Sequence, residues 1–178
     1  MTIAHSLGVA AAAFGLCLIT AGPVVAADGG KSDSTTCPTG EVYDGRSMKC
    51  VKQGSGVLPD KALTDYAAAL ARAERYDEAI EVLNLLKNHN TARALNYRGY
   101  ATRKLGRTDE GIAYYLKSVA LAPRYAQVRE YLGEAYVIKG DIARAKAQLR
   151  VIKRICGTGC EEYEDLAKAI SDGKVGEG

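Results

Sequence analysis

His89, in the stretch KNHNT, is the one histidine after residue 27, and any acid–base or metal chemistry would have to be built around it. A zinc site needs three or four nitrogen, sulfur or carboxylate ligands at close spacing, and none stands near His89 in the chain. A nucleophilic triad would need the imidazole held rigidly beside a Ser or Cys, and KNHNT is loop-like. The expected role of His89 is therefore that of a solvated loop residue. Cys37, Cys50, Cys156 and Cys160 form two local pairs. The Cys156–Cys160 spacing is CxxxC, not the CxxC of thiol oxidoreductases. Of the three possible pairings, Cys37–Cys50 with Cys156–Cys160 closes the shortest loops at the least entropic cost, so two structural disulfides are expected. Gly157-Thr158-Gly159 is too short and wrongly flanked to cradle a phosphate. These residues predict no enzyme, no metal and no cofactor; what is left to carry function is a surface.

The N-terminal residues set where that surface would work. The run from Leu7 to Val25 is apolar apart from small residues and Thr20, and Val25-Ala26-Ala27 has the small-x-small form of a cleavage site. Residues 1–27 are expected to be a signal peptide, although Lys and Arg are missing from its start. Leu16 before Cys17 is too bulky for a lipidation signal. An even set of cysteines fits an oxidising compartment, so the expected location is the periplasm or the exterior, with no membrane span once the signal is cleaved. The net charge of +3 is too mild to argue for nucleic acid or an anionic membrane as partner.

Behind the signal, residues 28–36 (DGGKSDSTT) are a polar lead-in, expected to be disordered. Residues 37–52 form a cysteine-bounded module. Pro38, Gly40 and Asp44-Gly45 mark turns and Glu41-Val42-Tyr43 is strand-prone, so a hairpin closed by Cys37–Cys50 is expected, the bridge supplying most of its order. Residues 53–59, with Gln53-Gly54-Ser55-Gly56, read as a linker.

From Pro59 onward Ala, Leu, Lys, Arg and Glu dominate and apolar residues recur at three and four, which predicts helices joined by turns at Gly106-Arg107, Pro123-Arg124 and Gly140-Asp141. Sliding the chain on itself by 34 residues brings Ala92 onto Ala126, Tyr97 onto Tyr131, Gly99 onto Gly133 and Gly106 onto Gly140, without a gap. Leu95, Gly99, Gly106, Gly111, Tyr115 and Pro123 in one unit, and Leu132, Gly133, Tyr136, Gly140, Ala145 and Leu149 in the next, resemble the tetratricopeptide repeat (TPR) of exported bacterial proteins. A first unit carries Tyr66, Ala67, Tyr76, Ala79, Leu83 and Leu86, with its spacing slipped, since Ala79 to Gly111 is 32 residues. Arg98, Thr102 and a missing proline after the third unit depart from the family. The resemblance implies an all-α solenoid of antiparallel helix pairs: repeats at 60–91, 92–125 and 126–159, closed by a capping helix at 160–173 whose Tyr163, Leu166 and Ile170 face inward.

In that family the first helix of each pair lines a concave groove, which implies inward positions at Lys61, Thr64, Ala68 and Arg72, then Arg93, Asn96, Tyr97, Tyr100, Arg103 and Lys104, then Gln127, Glu130, Tyr131 and Glu134. The middle unit would be basic and tyrosine-rich and the last acidic, with Arg93 and Arg103 free to fork onto a carboxylate. The expectation is an exported, non-catalytic scaffold that binds a protein or peptide partner and can self-associate. Two other readings compete with it. The Cys37–Cys50 module resembles small disulfide-bonded chitin-binding modules, with Tyr43 as a stacking platform, although it has fewer cysteines. Alternatively, the chain is a structural subunit of an envelope assembly.

Overall fold

The computed structural model describes residues 36–53 and 58–173, which belong to one compact unit. The expected signal peptide, the lead-in up to residue 35 and the linker centre at 54–57 fall outside the described residues. Among the described residues, no helix is long and apolar enough to cross a membrane.

Among the described residues, seven helices follow a two-stranded hairpin: α1 Asp60–Arg72, α2 Tyr76–Asn84, α3 Ala92–Lys104, α4 Thr108–Leu121, α5 Ala126–Ile138, α6 Ile142–Cys156 and α7 Glu161–Asp172. They pack as the pairs α1·α2, α3·α4 and α5·α6, with α3 against both α1 and α5, and α7 laid over α5 and α6. This is the TPR-like helix-pair solenoid with its capping helix.

Each pair turns through the same backbone device. The N–H groups of Arg75, Arg107 and Asp141 reach back to the carbonyls of Leu70, Thr102 and Tyr136 at 2.9, 3.1 and 2.8 Å. The residue before each lies in the left-handed region: Glu74 at φ 61°, Gly106 at 83° and Gly140 at 72°. This is a Schellman-type end, which favours glycine. The first turn makes it with a glutamate. The slipped spacing of the first unit arises further on. Helix α2 has 9 residues against 14 in α4. The stretch that follows α2 is fastened instead by Asp60, whose carboxylate accepts from the N–H groups of Lys87 and Asn88 at 3.0 and 2.8 Å.

The small residues set how closely helices approach. A Cβ on Gly99 would stand 2.7 Å from the Tyr115 ring, and one on Gly111 would stand 2.9 Å from the Gly99 carbonyl. Helices α3 and α4 therefore cross glycine on glycine, with Tyr115 fully buried in the crossing. Gly133, the counterpart of Gly99 one repeat on, faces Leu166 of α7 instead. Two buried clusters result, one around Leu63, Leu70, Val82 and Leu83, the other around Tyr115, Val128, Leu132 and Tyr136. Tyr100 packs against both.

The cysteine module is a hairpin of β1 (Glu41–Asp44) and β2 (Lys49–Lys52), antiparallel with Val42 opposite Val51 and Tyr43 opposite Cys50. Asp44 holds the turn by accepting from the Arg46 N–H at 3.0 Å and the Ser47 hydroxyl at 2.8 Å. Cys37 and Cys50 are disulfide-bonded. The module also has contacts to the helices besides the bridge. Val42 and Cys37 are 1% and 2% exposed because they join the core of the first helix pair, with Tyr43 packed beside them. The Cys37 N–H donates to the Tyr66 hydroxyl at 2.9 Å, and Arg75 donates to the Cys37 carbonyl at 2.6 Å while pairing with Glu78. The module is thus an N-terminal cap on the solenoid, with Tyr43 partly buried against the first helix pair.

Candidate functional site

Helices α3, α5 and α7 converge on a cavity of about 410 Å³. Its wall carries Tyr100, Arg103 and Lys104 from α3, Gln127, Glu130, Tyr131 and Glu134 from α5, and Glu161, Glu162 and Asp165 from α7. Val137, Ile138 and Ala169 supply the apolar remainder. Helical spacing explains the α5 set: Gln127, Glu130, Tyr131 and Glu134 recur at three and four and share one face. The same rule places Glu162, Asp165 and Ala169 beside Leu166, which is anchored on Gly133.

Arg103 is the best-held side chain of the site. It is 6% exposed; its Nη2 donates to Glu134 at 2.7 Å and its Nε to the Tyr115 hydroxyl at 3.3 Å. Its guanidinium carbon lies 5.5 Å from the centre of the Tyr100 ring and 6.0 Å from that of Tyr131. Those two rings are themselves 4.9 Å apart. Burial opposes the charge on Arg103, but Tyr115 and Glu134 outweigh it and hold its pKa above the ordinary value. The arginine is spent on internal contacts.

Glu130 is the reverse case. It is 7% exposed, and among the described residues no hydrogen bond or ion pair reaches its carboxyl group. Burial, followed by Glu134, Asp165, Glu162 and Glu161, pushes its pKa up to about 9, so near neutral pH it holds a proton. Burial likewise raises Tyr131, and Glu130 and Tyr100 add to the effect.

Of the fourteen positions placed on the inward face, Tyr100, Arg103, Lys104, Gln127, Glu130, Tyr131 and Glu134 meet in this cavity. The other seven do not line it: Thr64 and Ala68 are buried in α1, and Lys61 and Arg72 are exposed on it. Asn96 is fully buried, its amide nitrogen 3.3 Å from both the Tyr125 hydroxyl and Gln127 Oε1. Tyr97, 6% exposed, belongs to the first core cluster. Arg93 is exposed but ion-paired with Asp65 and set over the Tyr97 ring. The physical reason is that α3 packs against both α1 and α5, which takes Asn96 and Tyr97 into buried contacts. Arg103 is no free fork for an incoming carboxylate either. Nor is the cavity basic: five carboxyl groups stand against two basic side chains. The α7 acids Glu161, Glu162 and Asp165 are what turn its character. Their signal was the helical spacing from Leu166, once Leu166 is known to seat on α5.

His89 is exposed, with Nδ1 3.1 Å from the Leu83 carbonyl oxygen. Cys156 and Cys160 are bonded to each other across the α6–α7 turn. Glu162 has a ligand atom within 4.8 Å of both sulfurs, but a disulfide leaves that trio one anionic ligand.

No protein-family model and no curated protein matches the chain. Its fold is similar to that of the Yersinia enterocolitica type III secretion chaperone SycD, solved in complex with a peptide of the translocator YopD. That match has 19% identity and a TM-score of 0.53, covering 64% of this chain and 87% of that one. A structure of the same translocator chaperone matches over 63% of this chain and 78% of its own, at 19% identity and TM-score 0.53. An alternative dimer of it matches at 19% and 0.54, over 64% and 87%. The likeness is one of fold.

Proposed function

We propose that the chain is an exported, non-catalytic adaptor that binds a segment of another protein in the cavity between α3, α5 and α7. The observation that carries this reading is the cavity itself: tyrosine-walled, about 410 Å³, and open to one side of the repeat array. Its polar groups are carboxyl groups, an arginine engaged by Glu134 and Tyr115, and a lysine; a nucleophile next to a base is not among them. The SycD structure that holds a peptide of YopD supports peptide binding as a use of this fold, and its alternative dimer supports self-association. Export rests on the N-terminal apolar segment and on the paired cysteines. The docked hairpin supports a capping role for the cysteine module rather than carbohydrate binding.

The test is capture from the exported fraction by the immobilised full chain. A Gln127→Ala/Glu162→Ala variant at the cavity should lose at least tenfold of a reproducible partner. A Leu116→Ser/Leu121→Ser variant, on the exposed side of α4, should retain it. Equal capture by the cavity variant and the wild type would remove the reading.

A further inference from the structure

The cavity is short of positive charge: its five carboxyl groups stand against Lys104 and an Arg103 that Glu134 already engages. Glu130 lies on its floor, more than nine-tenths buried and lining the space, with no donor on its carboxyl group among the described residues. Its carboxyl oxygens open only onto the cavity, and a carboxyl group with so little solvent around it is a costly feature for a packed helix face. Its surroundings do not relieve it. One turn on, Glu134 is taken by Arg103. From α7, Glu161, Glu162 and Asp165 bring like charge toward it. From α3, Arg103 is engaged by Glu134 and Tyr115, leaving Tyr100 and Lys104 on that wall. The arrangement has acceptors on two sides, the Tyr131 ring on a third, and room between them.

We propose that this cavity receives the cationic head of an Arg or Lys side chain carried by the bound segment, seated between Glu130 and the α7 pair Glu162 and Asp165. This rests on the protein-binding reading above and specifies the partner's chemistry: a basic segment, recognised by charge-assisted hydrogen bonds to carboxylates and by the neighbouring tyrosine ring. The incoming cation displaces the proton that Glu130 holds when the cavity is empty. Binding therefore releases a proton, and affinity rises with pH until the ligand's own amine titrates.

The full chain, labelled with nitrogen-15, is titrated with N-acetyl-arginine amide, N-acetyl-lysine amide and the neutral isostere N-acetyl-citrulline amide, at pH 6.5 and 8.5. The arginine or lysine amide should saturably shift the amide signals of Glu130, Glu134 and Asp165, and citrulline should bind at least tenfold more weakly. Affinity should rise at least threefold between the two pH values. Glu130→Gln should remove that pH dependence and weaken binding about fivefold at pH 8.5. It fits the same space and takes a charge off a buried position, so it should fold. Glu162→Gln/Asp165→Asn, on the α7 rim, should weaken binding independently. Citrulline binding as well as arginine, shifts that map elsewhere, or indifference to both variants would overturn the proposal. If the cavity variant loses its captured partner while arginine and citrulline amides bind alike, the cation inference falls alone. If capture is unaffected, the protein-binding reading falls whatever the amides do.

Discussion

Leu166 of α7 occupies the space that a Cβ on Gly133 of α5 would need, with Cδ1 2.7 Å from that position and Cδ2 closer still. Leu166 is fully buried, so it has no free direction in which to withdraw. This one contact seats the capping helix and, with it, the acids that give the cavity its charge. Gly133→Ala should cost about 1–3 kcal/mol by overpacking, and Leu166→Ala about 2–5 kcal/mol by leaving a void. In the double variant the alanine methyl sits in the space the leucine vacates, so the two costs should fall short of additive by at least 1 kcal/mol. Urea unfolding of the four proteins checks this; strict additivity would mean that the two residues do not support one another.

The glutamate at the floor should leave its mark on stability as well as on binding. Burial and the neighbouring carboxylates push its pKa up to about 9 in the folded chain, from an ordinary glutamate value of 4.5. Below the lower value both states are protonated and nothing is lost. As pH rises through the window between them, the unfolded chain ionises and the folded one does not, so stability falls by up to about 1.4 kcal/mol per pH unit. Glu130→Gln removes this loss. Its gain over the wild type should be small at pH 5 and grow steadily toward pH 8.5, read from urea midpoints; a gain that does not vary with pH would contradict the assignment.

How much of this was legible in the residues follows from what each feature depends on. The glycines at 99, 106, 133 and 140 announce the repeat because they answer to the backbone, and the backbone repeats. The turn after α1 was less legible, since Glu74 does a glycine's work there and the short α2 shifts the spacing by two. The cavity was half legible. Tyr100, Arg103, Lys104, Glu130, Tyr131 and Glu134 follow from the face of a repeat, whereas Asn96 and Tyr97 depend on how far α1 and α5 cover α3. Glu161, Glu162 and Asp165 lie beyond the repeat, where alignment supplies no register. Only the seating of Leu166 brings them in.

The glutamate turn offers a stabilising change. At φ 61° Glu74 bears the left-handed penalty that Gly106 and Gly140 avoid in the equivalent turns. Glu74→Gly should raise stability by about 0.5–1 kcal/mol, and Gly106→Ala should lower it by about 1 kcal/mol, in thermal unfolding. A destabilising Glu74→Gly would show that its side chain matters more than its backbone.

Hairpin docking can be separated from the disulfide. Tyr66→Phe removes the acceptor of the buried Cys37 N–H at 2.9 Å and leaves that donor unmet. The cost should be about 1–3 kcal/mol. Amide hydrogen exchange should speed up in β1 and β2 with the disulfide intact. Unchanged protection there would mean that the bridge alone orders the module.

The central claim, that the α3–α5–α7 cavity is where a partner segment binds, is tested most directly by photo-cross-linking. A photoreactive residue is placed one at a time in the full chain: at Lys104 or Asp165 on the cavity, at Leu116 on α4, or at Met48 on the hairpin turn. Irradiation in the native compartment should yield the same discrete adduct from Lys104 and Asp165, and none from Leu116 or Met48. Adducts from Leu116 or Met48, with the cavity positions silent, would contradict the account.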